Sequence, residues 1–286
     1  MASLETDLSE PIPVNGDAGF MARMRRVRRL VAVLTAMDIK IKYGDSVLGY
    51  VWTIGKPLAL FSTLYVVFGR LTRFPNTPPH YALYLVIGVM LWTYFADGVT
   101  RTMNSLVTNG NLMRKLPFPR LVIPLAASLT AFVTFGLGLL AIAFFIVWNG
   151  FVPQLDWLLL ILEMLELYLF ILGLGLVLGV MYVRLRDVAQ VWELAMQLLF
   201  FLAPIVYPFT VVPTRWRQIM LLNPFTQIMQ DVRAILIYGG PKSEIMAHAT
   251  YTLSPLRIIP LLIVAFTLGL GFYLFKREEP WFPERV

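Results

Sequence analysis

Ionisable side chains inside long apolar runs are costly in lipid, so they mark first where this chain could do chemistry or pass a polar cargo. Asp97 and Arg101 stand four residues apart with the acid N-terminal to the base, the favourable order for a structural ion pair on one helix face. Glu163 and Glu166 share a face of another run, and Glu193 lies early in a third. These acids suit either a polar path or a contact between subunits. They do not suit glycoside hydrolysis, because carboxyls on adjacent turns approach a substrate from one side whereas that reaction needs them flanking the bond. The absence of cysteine excludes disulfides, iron–sulfur clusters and thiolate chemistry, and His80 and His248 cannot by themselves complete a four-ligand zinc site. Gly55-Lys56 has the ending of a phosphate-binding loop, but Tyr50 stands where its first glycine is needed and Pro57 where Ser or Thr should follow. The expectation is a chain with no catalytic residue, metal site or cofactor of its own, so any ATP chemistry belongs to another subunit.

The elements that position these groups are dictated by composition. Of 286 residues 58% are hydrophobic and 14% charged, with a mean hydropathy of +0.71, which is the balance of an integral membrane protein. The net charge of +7 is read as topology signals and contacts to anionic lipid rather than as a nucleic-acid footprint. Residues 1–22 read as a disordered lead without an apolar signal-peptide core. Six apolar runs are long enough to span, roughly 47–69, 81–107, 121–147, 157–183, 188–207 and 256–275, so residues 46–277 form an all-α transmembrane domain with a cytoplasmic tail at 278–286. The segments carrying Arg23 to Lys42, Arg114 to Arg120, Arg184 with Arg186, and Lys276 with Arg277 and Arg285 lie on one side. They are richer in cations than those with Arg70, Arg73, Arg215, Arg217, Arg233, Lys242 and Arg257, which places both termini in the cytoplasm.

Three connecting segments are more than turns. In 23–45, Val27, Leu30, Val31, Leu34, Met37 and Ile41 make an apolar stripe while Arg25, Arg26, Arg28 and Arg29 lie mostly off it, the pattern of a helix resting on the cytoplasmic leaflet. After Asn109-Gly110, residues Asn111 to Leu116 alternate an apolar side (Leu112, Met113, Leu116) with a polar one (Arg114, Lys115) before Pro117 stops them. That is a short surface helix shaped for a partner's groove, or else a turn that sets topology. In 208–255, Thr214 opens one short helix, and Asn223-Pro224 opens a second that Gly239-Gly240 ends. The pair either dips into the outer leaflet or lies amphipathically in the interface. Ile228, Met229, Val232, Ile235 and Leu236 form the apolar stripe of the second, with Gln227, Gln230 and Asp231 elsewhere. Most aromatics read as interfacial anchors, although Phe200, Phe201, Tyr207 and Trp216 are candidates to line a channel for a sugar polymer. Gly175 and Gly179 form a GxxxG pair, which means close helix packing or dimerisation.

These segments resemble a known family. DIKIKYGDSVLGYVWTIGKPL, Asp38 to Leu58, resembles the entry to the first span in permease subunits of type-2 ABC exporters of polysaccharides and lipid-linked glycans, with Lys42-Tyr43 where Arg-Tyr is common. NLMRKLPFPRLVIPLA, from Asn111, is similar to that family's segment between the second and third spans, and LNPFTQIMQDVR, from Leu222, to its motif before the last span. The likeness runs through about residues 23–277 in order. It implies a homodimer in the bacterial cytoplasmic membrane bound to two copies of an ABC ATPase, which carry the ATP and Mg. It also implies a coupling helix at Asn111 to Arg120, an interface helix at Arg23 to Ile41 and external gate helices at 214–238. The cargo expected is a lipid-linked glycan, with galactan placed ahead of teichoic acid and O-antigen.

Three rivals are weighed against this. A drug or small-lipid exporter of the same class would share the coupling machinery. A membrane glycosyltransferase would need an acidic metal cluster or a catalytic histidine. An ion-coupled carrier would need titratable groups at mid-membrane, and only Glu166, about 13 Å into its run, approaches that depth.

Overall fold

The computed structural model describes residues 16–44, 49–72, 78, 80–115, 118–238 and 258–285, which are mostly helical with no strand among them. Helix α1 runs Gly16–Gly44 and α2 Gly49–Leu64, the latter widening into a π-helix over Tyr65–Thr72. Then follow α3 Tyr81–Thr108, α4 Gly110–Lys115, α5 Val122–Trp148, α6 Leu159–Arg184 and α7 Val188–Leu202. The short α8 Thr214–Met220 and α9 Pro224–Ile237 precede α10 Ile258–Glu278 and a final turn α11 Phe282–Arg285. Five of these helices are long and apolar enough to cross a membrane, and α7 is a shorter apolar one.

The core forms around α3. From Leu83 to Leu91 every side of this helix is buried, because α5 and α6 pack along it and α9 and the turn at 203–206 close its outer half. A helix hydrophobic all round belongs inside a bundle, and α3 is the one so placed. α10 runs alongside α6, and α1 lies against the start of α5, where the Thr35 hydroxyl donates to the Ala126 carbonyl at 3.4 Å.

Three boundaries differ from the expected ones. α1 begins at Gly16 rather than after residue 22, and Ala22 favours its propagation; residues 1–15 lie outside the described residues. The fifth run stops at Leu202 rather than 207: Ala203 precedes Pro204 and is held extended (φ −74, ψ 140), the conformation a following proline ring imposes. The chain past Glu278 is not a free tail but folds back as a 3-10 turn and α11.

The glycine pair makes close contacts within the chain. A Cβ built on Gly175 would lie 2.5 Å from the Thr102 Cβ, so α3 and α6 meet there at backbone distance. Gly175→Leu should therefore overpack this crossing, destabilising by about 1–3 kcal/mol. A detergent-solubilised thermal melt several degrees below wild type is the expected result, and an unchanged melt would show that the crossing tolerates separation.

Candidate functional site

At the inner end, one residue turns the chain from a span into a surface helix. Asn109 ends α3 with its backbone N–H on the Ser105 carbonyl and its side-chain amide donating to the same carbonyl at 2.9 Å. Its own carbonyl then accepts from Leu112 and Met113, starting α4. On α4, Asn111 and Arg114 are exposed and Leu112 is half-buried, whereas Met113 is only 5% exposed. Lys115 ends the helix, and Leu116 with Pro117 lies outside the described residues. The expectation that Met113 is offered to a partner is corrected: it belongs to a buried cluster with Leu106, Ile123, Val183, Phe275 and Phe282.

That cluster exists because the end of the chain returns beneath α4. Arg184 forms an ion pair with Glu278, donating from Nε at 3.2 Å and from Nη2 to the other oxygen, while Arg120 donates to the Glu279 carbonyl. These anchors bring Phe282 edge-on to Phe275 at 5.2 Å and leave it 1% exposed. α4 is thus backed by side chains of α6, α10 and α11 together. Nothing in the periodicity of 110–120 announces this backing; the signal lay in Phe282 and Trp281 following Glu278 and Glu279 in a segment otherwise read as tail.

At the opposite end, burial separates the two short helices: α9 is wedged into the bundle, whereas α8 leaves Arg215, Trp216 and Ile219 exposed. Asn223 caps α9 by accepting from the Phe225 N–H at 3.1 Å, with Pro224 in the first turn as expected. Every residue from Pro224 to Ile237 is buried, including Gln227, Gln230 and Asp231, which an interfacial helix would expose. The expected stop at Gly239-Gly240 lies outside the described residues. α8 starts at Thr214 with Pro213 at the cap position, so Thr214 is its first helical residue rather than its cap. Arg217 donates to the Val212 carbonyl at 2.6 Å, tying α8 to the chain before it.

Arg233, counted from the sequence as an outer-loop cation, is fully buried. Its Nε donates to the Tyr84 carbonyl at 3.1 Å, Nη1 to Pro204 and Nη2 to Ile205, both at 2.8 Å, and its Cζ lies 3.5 Å from the Tyr84 ring centroid. Gly88 makes the room, since a Cβ there would come within 2.3 Å of Nη2. The sequence held a clue: Met229 and Leu236, four before and three after, belong to the apolar stripe on which Arg233 therefore sits.

The remaining candidates are dispersed. Asp97 and Arg101 pair as expected, Nε to carboxylate at 2.7 Å. Glu163 is buried and Glu166 half-buried in the first half of α6, and Glu193 is exposed on α7. Phe200 packs edge-on to Trp92 at 5.7 Å and to Phe201 at 5.3 Å, with Phe201 exposed; the Tyr207 hydroxyl donates to the Leu202 carbonyl at 2.9 Å, and Trp216 is exposed. On α1, Arg25, Arg26, Arg28 and Arg29 are exposed while Val27, Leu30, Val31 and Leu34 are half-buried. Met37 and Ile41 are exposed instead of joining that stripe, which turns toward Thr35 and Asp38 where α5 supplies the contact. Burial pushes the Asp38 carboxyl above its usual range, opposed by the Arg101 guanidinium and the Thr130 hydroxyl. Among the described residues no His, Cys, Asp and Glu cluster could hold a metal ion.

Comparison with known proteins follows this geometry. Residues 29–237 match the model of the family described as ABC-2 type transporter. The chain is 27% identical over 235 residues to an O-antigen export system permease protein of Klebsiella pneumoniae, covering 82% of this chain and 90% of the relative. A protein of the same description from Myxococcus xanthus is 27% identical over 210 residues, covering 73% and 80%. The polysialic acid transport protein of Escherichia coli is 21% identical over 252 residues, covering 87% and 93%.

Phe282→Ala should empty the space beneath Met113 and loosen α4 without touching its exposed face, as truncation of a buried phenylalanine does. Faster amide hydrogen exchange over residues 106–115, with unchanged exchange in α9, is the expected pattern. Equal protection in wild type and variant would show that α4 stands without this backing.

Proposed function

The chain belongs to the ABC-2 type transporter family, and from that premise we propose that it is the membrane permease of an ATP-driven exporter of a cell-envelope polysaccharide. The observation that carries the reading is the similarity, along more than four-fifths of the chain, to permeases whose names specify O-antigen export. The geometry supports it at both ends: α4 presents Asn111, Leu112 and Arg114 at one face of the bundle, and α9 is wedged into the opposite half beside the exposed Trp216 of α8.

In this reading two copies of the chain enclose a channel in the bacterial cytoplasmic membrane, with both termini inside. Two copies of an ABC ATPase bind beneath, holding ATP and Mg. Closure of the ATPase pair pushes α4, and the buried cluster around Met113 and Phe282 passes the displacement to α6 and α10. α1 rests on the inner leaflet with its arginines among lipid phosphates, and α8 with α9 gates the outer end. The cargo is a lipid-linked glycan, with galactan ahead of teichoic acid and O-antigen.

The first test is purification of the tagged protein in mild detergent with identification of bound partners and an ATPase assay. A stoichiometric ATPase is expected, and a lone permease inert toward ATP would overturn the reading. Leu112→Asp and Arg114→Glu should leave insertion intact while ATP hydrolysis no longer drives export, a loss of at least tenfold in transport per ATP. Normal export by both would remove the coupling role of α4. Trp216→Ala should slow export by severalfold with ATPase binding unchanged, whereas wild-type flux would make Trp216 an interfacial anchor.

A further inference from the structure

A cleft of about 590 Å³ opens between α1, α2, α3 and α5, within the range of ordinary small-ligand sites. Three cations line it, Lys42 of α1, Lys56 of α2 and Arg101 of α3, against one lining carboxylate, Asp97. That carboxylate engages Arg101 through Nε. Asp38 of α1, whose carboxyl burial pushes upward, also interacts with the charge of Arg101. Lys56 is seven residues from the start of α2 and Arg101 seven from the end of α3. Both therefore stand about 10 Å from the inner ends of their helices, at one level.

Farther in, the walls change character. Tyr94 and Phe135 stack at 4.5 Å with their planes 18° apart, and both line the cleft. The Tyr94 hydroxyl and the Thr134 hydroxyl, also in the lining, are buried and have no hydrogen-bond partner among the described residues. Each lies about 20 Å from the inner end of its helix, roughly 10 Å beyond the cations. An orphaned buried hydroxyl is unfavourable unless something fills its bonding capacity. Two of them beside flat aromatic rings match a sugar, whose hydroxyls take hydrogen bonds and whose C–H faces lie against rings. The cations below match a phosphate.

We propose that this cleft binds the glycosyl phosphate unit of the exported substrate, its phosphate held by Lys42, Lys56 and Arg101 and its first sugar by Tyr94 and Thr134. The proposal rests on the export reading above and assigns the end of the cargo that enters first from the cytoplasmic side. Specificity then has two parts: charge at the level of Lys56 selects a phosphorylated glycan, and the hydroxyl pair selects a sugar over a bare anion.

The test uses the full transporter in detergent with N-acetylglucosamine 1-phosphate as probe, followed by calorimetry. Lys56→Gln should weaken binding at least tenfold. Tyr94→Phe, which keeps the ring and its stacking on Phe135, should weaken the sugar phosphate severalfold while leaving inorganic pyrophosphate unaffected. Unchanged affinity in Lys56→Gln would overturn the phosphate site. Pyrophosphate binding as tightly as the sugar phosphate, or displacement of the probe by phosphatidylglycerol micelles at equal affinity, would reduce the cleft to a bare anion or bulk-lipid site. Polysaccharide export measured in the same preparations separates the two levels: export without probe binding sinks this assignment alone, and absence of both export and a bound ATPase sinks the function from which it starts.

Discussion

A guanidinium removed from water must be given acceptors in its place, and the outer half of this molecule is arranged around that requirement. Arg233 reaches from α9 to the carbonyls of Tyr84, Pro204 and Ile205 and rests on the Tyr84 ring. Two of those carbonyls belong to the turn after Leu202, whose backbone would otherwise be left unpaired where α7 stops. One side chain thereby satisfies a broken span, fixes the depth of a wedged helix and joins both to the central helix α3. The bare backbone at Gly88 is the complementary condition, because any side chain there would occupy the space of Nη2.

The other half is closed by an apolar cluster, with the buried carboxylate of Glu278 at its edge. Met113 comes from the middle of the chain and Phe275 and Phe282 from its last helices, and they meet beneath α4. The ion pair of Arg184 with Glu278 holds the strand of chain that makes this possible, and it lies at the margin of the bundle where Arg184 is exposed. Met113 of α4 thereby shares one apolar cluster with side chains of α6 and α10. Large parts of α5, α7 and α10 remain uncovered, with Phe144, Leu198, Phe201 and Phe266 exposed, an apolar surface suited to lipid.

How much of this was legible in the chain depends on the range over which each signal acts. Long apolar runs report directly on bilayer thickness, so the spans at 81–108, 122–148 and 159–184 emerged within a few residues. The cap at Asn223-Pro224 and the pair Asp97 with Arg101 are local, and they too were readable. The early end of α7 was readable in principle, from Pro204, but hydropathy outvoted it through Ile205 and Val206. The burial of Arg233 and of Met113 was not, since each depends on a partner more than a hundred residues away, Tyr84 in one case and Phe282 in the other. Charge counting treats every arginine outside a span as facing water; a helix wedged back into the bundle breaks that assumption.

The junction of α4 with α11 bears on how related chains can be recombined. Segment 110–115 is short enough to transplant as a cassette, yet its inward residue is matched to an aromatic ring encoded at the far end of the chain. A chimera that imports the cassette alone would set a foreign side chain at position 113 against Phe282, and a bulkier or polar one there would displace α11 and with it the Arg120 anchor. The packing of such hybrids would then follow two inherited segments rather than one, and the cassette should fold cleanly only when both travel together.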